Sequence, residues 1–186
     1  MDRSIVLAAV ILCLFINASA QQVHKQVSTP PVAKPDAIAE LPARCKGNAL
    51  SRAETTRILI EHNRARTAVG LLPVTWDCSL AITAQSWAGK GKPGHNEYTP
   101  YGENIFVSSH AGVKVASAVS GWLSEKAGWA NNTGTCAPGK FCTHYTQIVW
   151  SKTTRIGCGI NRKVAGKWKA LFVCNYDPAA QSGKAF

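Results

Sequence analysis

The stretch Thr143-His144-Tyr145-Thr146-Gln147-Ile148-Val149-Trp150 decides how the rest of the chain is read. It follows a short loop bounded by Cys136 and Cys142, and it carries one ionisable side chain, His144. His144, Thr146, Ile148 and Trp150 alternate with Tyr145, Gln147 and Val149. That period of two predicts a buried strand. A histidine at the mouth of such a strand can face a cleft while its neighbours anchor it in a core.

Three helices are expected upstream. Ser51-Arg52-Ala53-Glu54 has capping-box spacing, and Thr55 to Ala68 reads as a helix stopping at Gly70. Ile58, His62, Ala65 and Val69 share its apolar face, with nothing acidic beside His62, so that histidine is expected to be buried and structural. A second helix is predicted over 77–88, ended by Gly89, Gly91, Pro93 and Gly94, and a short strand toward Val107. The third helix is predicted from Val113 to about Trp129, with Val115, Val119 and Trp122 inward and Glu125 on the flank. Downstream, residues 156–160 and 168–174 read as a hairpin turning near Gly166, which sets Cys158 opposite Cys174. The interleaving predicts a layered α+β domain with an antiparallel sheet.

The first twenty residues stand apart. Arg3 precedes an unbroken apolar run from Ile5 to Ile16, and Ala18-Ser19-Ala20 offers a small-residue cleavage site, so residues 1–20 read as a signal peptide. Residues 21–44, with Pro30, Pro31, Pro35 and Pro42, read as an extended tether, and the domain is expected over 45–186. No later stretch is apolar for long enough to anchor the chain in a bilayer, so an exported, extracellular monomer is expected. Loss of Cys13 with the leader leaves six cysteines, and in an exported domain these imply three disulfides. Alongside Cys158–Cys174, the short spacing of Cys136 and Cys142 favours a local bridge, and subtraction leaves Cys45–Cys78.

The chain of 186 residues has a net charge of +11, but its lysines and arginines are scattered, which argues against a nucleic-acid partner. Asn131-Asn132-Thr133 is an acceptor sequon for N-glycosylation. The candidates for chemistry are His95, Glu103, Glu125 and His144, since imidazole and carboxylate are the usual non-sulfur ligands of zinc and similar divalent ions. No His-Glu-x-x-His helix is present, and no nucleophile motif surrounds Ser108, Ser109 or Ser124.

His62-Asn63-x-x-Arg66, Gly102-Glu103-Asn104-Ile105, the opening stretch, Gly157-Cys158-Gly159 and Cys174-Asn175-Tyr176-Asp177-Pro178 occur here in order. In that order they resemble the CAP superfamily of cysteine-rich secretory, antigen 5 and pathogenesis-related class 1 proteins, and most nearly its plant branch. The resemblance implies an α-β-α sandwich around a central antiparallel sheet. It also implies a cleft lined by His95, Glu103, Glu125 and His144 that takes zinc or another divalent ion in some members. The function it implies is a secreted, antimicrobial defence protein, apoplastic in a plant, that binds a sterol, other lipid or cell-wall component. Binding rather than turnover is favoured. A divalent-metal-dependent hydrolase using the same cleft is one alternative, and a precursor releasing a signalling peptide after Asp177 is another. The chain departs from plant relatives in lacking the cysteine usual just before the first cleft histidine, here His95, while Cys45 and Cys78 are extra.

Overall fold

A computed structural model describes Leu41 and residues 44–186. The leader expected over 1–20, and the tether apart from Leu41 and Arg44, lie outside the described residues. Leu41 is itself buried against the core, so packing includes a residue on the N-terminal side of Cys45.

The chain runs α1 (Arg52–Thr67), β1 (Thr75–Trp76), α2 (Cys78–Gly89), β2 (Gly102–Ser108), α3 (Val115–Ser124) and a 3₁₀ turn (Glu125–Gly128). The short strands β3 (Trp129–Ala130) and β4 (Thr135–Cys136), the helix α4 (Thr143–Ile148), β5 (Arg155–Asn161) and β6 (Ala170–Asp177) follow. The main sheet has the order β1-β5-β6-β2. Its three long strands are antiparallel, as expected, and the two-residue β1 adds to β5 in parallel at one edge.

Strand alternation divides the core into two layers. On one face Ile156, Cys158 and Ile160 of β5 and Phe172, Cys174 and Tyr176 of β6 pack under Ile58 and Leu59 of α1, Val119 and Trp122 of α3, and Ile148 of α4. On the other, Leu171 and Val173 meet Ala84 and Ala88 of α2. The three-layer α-β-α arrangement is therefore present. The capping box forms as expected, with Ser51 Oγ accepting from Glu54 N at 3.2 Å and Glu54 Oε2 accepting from Ser51 N at 2.9 Å, although α1 starts three residues earlier than predicted. All three expected disulfides are present, and Cys158 and Cys174 are directly opposed in the β5–β6 register. Among the described residues no helix is long and apolar enough to cross a membrane.

Helix α2 lies very close on β5. A Cβ on Gly159 would stand 2.3 Å from Gln85 Cα, and one on Gly157 would stand 2.2 Å from Ala81 N. Both obstacles are backbone, which cannot rotate aside. Gly159→Ala is therefore expected to cost about 3 kcal/mol, at the upper end for overpacking. The urea midpoint should fall with an unchanged slope, and an unaltered midpoint would show that the helix can lift away.

The stretch expected to be a strand is a helix. Residues 143–148 form α4, only six residues long, with Tyr145, Gln147 and Ile148 buried. Its short length makes it unstable alone, so its ends must be held from elsewhere. At its start, Glu125 Oε2 accepts from the amides of His144 (3.0 Å) and Tyr145 (3.1 Å). Past its end, the buried guanidinium of Arg66 donates to the carbonyls of Ile148 (3.0 Å), Trp150 (2.8 Å) and Thr153 (2.9 Å), and also to Leu72 O. The predicted third helix is also shorter than expected, giving way at Glu125 to the 3₁₀ turn that presents the capping carboxylate.

Candidate functional site

His95, Glu103 and His144 line one cavity of about 380 Å³. His95 stands in the loop after α2, Glu103 on β2, and His144 in the first turn of α4. Asn104, Thr143, Thr146 and Gln147 complete much of the wall, together with Ala180 and Gln181 from the segment after β6. Glu125 is not at the cavity surface but behind His144.

The four expected residues form two pairs. His95 Nδ1 meets Glu103 Oε1 at 3.0 Å, and the same oxygen accepts from Asn96 N at 2.9 Å. The His95 side chain is 66% exposed and that of Glu103 only 4%, so the imidazole closes over a sunken carboxylate. His144 Nδ1 meets Glu125 Oε1 at 2.6 Å, and its ring stacks on Trp122 at 5.9 Å between centroids. A carboxylate accepts from Nδ1–H, so each pair uses Nδ1 and leaves Nε2 as the ring nitrogen outside the pair.

Two imidazoles with carboxylates behind them make an arrangement suited to orienting ion ligands. It is not a closed four-ligand shell. Among the described residues no group of three or more His, Cys, Asp or Glu side chains is placed to hold one ion. The buried Glu103 Oε2 has no hydrogen-bond partner, and it is the one carboxylate oxygen in the cleft wall left to be satisfied.

The structural histidine is separate. His62 is fully buried, with Nδ1 2.8 Å from Ile58 O and Nε2 2.9 Å from the Tyr176 hydroxyl. Burial drives the His62 pKa down to about 4, against a small upward pull from Ile58 O and with a further downward push from Arg66. Burial likewise holds the Tyr176 hydroxyl well above its ordinary value, so it remains a donor. Asn104 Nδ2 donates both to Tyr176 Oη (3.1 Å) and to His144 O (3.0 Å), joining this buried network to the cleft wall. The periodicity of α1 had indicated the role of His62. The contributions of Gln147, Ala180 and Gln181 carried no chemical signature in the sequence, because they depend on where α4 and the last segment pack.

A second concavity lies between α1 and α3, with a volume of about 250 Å³. Ala65, Ala68, Leu123 and Tyr145 line it, with Glu61, Arg64 and Lys126 around them.

The sequence model described as the cysteine-rich secretory protein family (CAP) matches residues 59–176, which span both cleft pairs and the three long strands up to Tyr176. The chain belongs to that family. It is 45% identical over 121 residues to a pathogenesis-related protein of PR-1 type from Sambucus nigra, covering 63% of this chain and 71% of the relative. It is 43% identical over 134 residues to pathogenesis-related protein 1A1 of Solanum lycopersicum, covering 69% and 74%. Among solved structures, that of NaASP2 with Zn²⁺ superposes with a TM-score of 0.64 at 26% identity, covering 76% of this chain and 88% of the other.

Proposed function

We propose that this CAP-family chain is a secreted, defence-type protein that acts by binding, and that its ligand is a sterol, other lipid or cell-wall component. Kinship with pathogenesis-related proteins supports the defence role. The observation that carries binding over turnover is the pairing in the cleft. Both carboxylates orient a histidine through Nδ1, and Glu125 spends its second oxygen capping α4, so only Glu103 Oε2 is left unpaired, and it is sunk beneath the His95 ring. This counts against a metal-dependent hydrolase.

A divalent ion fits the donor set as a two-imidazole site. His95 and His144 would supply Nε2, with Glu103 and Glu125 orienting the rings. A bound ion would supply positive charge and open positions for the oxygen atoms of a polar ligand. An acyl or sterol body is better matched by the groove between α1 and α3, where Arg64 and Lys126 stand near an apolar floor. The segment after Asp177 is hydrogen-bonded into the domain through Thr153 Oγ1 to Pro178 O (2.8 Å) and Ala180 N to Gln147 Oε1 (2.9 Å). That integration favours a structural segment over a released signalling peptide.

Calorimetric titration with zinc tests the cleft. The wild type should bind, and His95→Ala and His144→Ala should each abolish binding, while Glu125→Gln should weaken it about tenfold or more. A wild type that binds no ion removes the metal from this reading. Absence of binding to a panel of sterols, fatty acids, phospholipids and wall glycans would remove the binding function itself. Peptidase activity lost in the His144→Ala and Glu103→Gln double variant would establish the hydrolase in its place.

A further inference from the structure

The sequon asparagine is built into the fold as an anchor. Asn131 Oδ1 accepts from Trp129 Nε1 (3.3 Å), Ala185 N (3.1 Å) and Phe186 N (3.3 Å), and its Nδ2 donates to Phe186 O. Both ends of the side-chain amide therefore face residues 185 and 186. Those residues are seated independently as well: Ala185 is fully buried, and its carbonyl accepts from Ser151 N at 2.7 Å. The turn carrying the sequon is shaped to admit them. Gly134 has a φ of +71°, and a Cβ there would lie 2.9 Å from Gly183 C and from Lys184 N.

The same segment reaches the cleft. Between Asp177 and the anchored end, Ala180 bonds to Gln147 of α4, and Ala180 and Gln181 line the cavity with His95, Glu103 and His144. The anchor at Asn131 thus holds one end of a strap whose other end is cleft wall.

N-glycosylation forms a bond from Asn131 Nδ2 to the anomeric carbon of an oligosaccharide. Nδ2 loses one hydrogen as a proton, and the diphosphate-linked carrier of the sugar departs. The added sugar needs the space beside the amide that residues 185 and 186 fill. We propose that Asn131 is a modification site in direct competition with this strap, so that a glycan on Asn131 and the docked segment 183–186 exclude each other. An occupied sequon then leaves Ala180 and Gln181 without their anchor and loosens one wall of the His/Glu cleft. This inference rests on passage through a glycosylating secretory route and is independent of the ligand's identity.

The test compares three chains secreted from a eukaryotic host under the host's own leader, which separates it from the question of natural export. They are the wild type, Thr133→Ala, which destroys the sequon but keeps the Asn131 amide, and a chain ending at Ser182. Intact mass gives occupancy, hydrogen exchange reads the strap, and thermal melting verifies that each chain is folded. If wild-type molecules carry a glycan, their amides at Ala180 and Ala185 should exchange about tenfold or more faster than in Thr133→Ala. Equal protection in the two would overturn the proposal. If no wild-type molecule carries a glycan, occupancy should appear once residues 183–186 are removed. A shortened chain that stays unglycosylated would overturn it equally.

Discussion

Replacing Arg66 by leucine should lower the free energy of unfolding by about 4 kcal/mol, a large share of what a domain of this size has. The guanidinium is almost wholly buried and bonds to four backbone carbonyls, those of Leu72, Ile148, Trp150 and Thr153, and among the described residues no carboxylate pairs with it. Burial lowers its pKa to about 10, which still leaves it charged at neutral pH. Leucine would fill part of the space and leave those acceptors buried and unmet. Arg66→Lys should recover little, because one ammonium cannot span carbonyls that the planar fork reaches together. Chemical denaturation measures the loss. A change under 1 kcal/mol would mean that water replaces the fork.

The second large effect is a loss of stability in acid traceable to His62. Its pKa in the fold is about 4, below the ordinary value of 6.5, because burial disfavours the imidazolium. The unfolded chain therefore binds the extra proton first. Stability is complete above the unfolded value, declines as pH falls through 6.5, and levels off below about 4, with a total of about 3 kcal/mol. His62→Gln should be less stable at pH 8 but lack this part of the decline. Parallel stability curves for the two proteins would place the acid sensitivity elsewhere. Because Tyr176 and Asn104 link His62 to the carbonyl of His144, protonation should loosen the cleft wall along with the core.

The particular residues show what could be read in advance. The inward stripe of α1, the cap at Ser51 and the opposition of Cys158 to Cys174 are local patterns or simple register, and each was legible. Residues 143–150 were not. Their alternation and β-branched content fit a strand, while the determinants of the helix lie far away in the chain, in the carboxylate of Glu125 and the guanidinium of Arg66. The same distance hides the helical backbone of His144 and the place of Glu125, which bonds to the start of α4 and is not among the residues lining the cavity. The parallel edge strand β1, two residues long, offered no pattern to detect.

A helix held at both ends by side chains from other segments has no independent existence. Until α1, the turn at Glu125 and the strands that carry them are in place, residues 143–148 have nothing to hold them in a coil of six, and His144 has no fixed address. The cleft is then a product of completed folding, so that the binding proposed for it would report nativeness. A partly folded chain should then show none of the zinc binding proposed for the cleft, however many of the cleft side chains it retains.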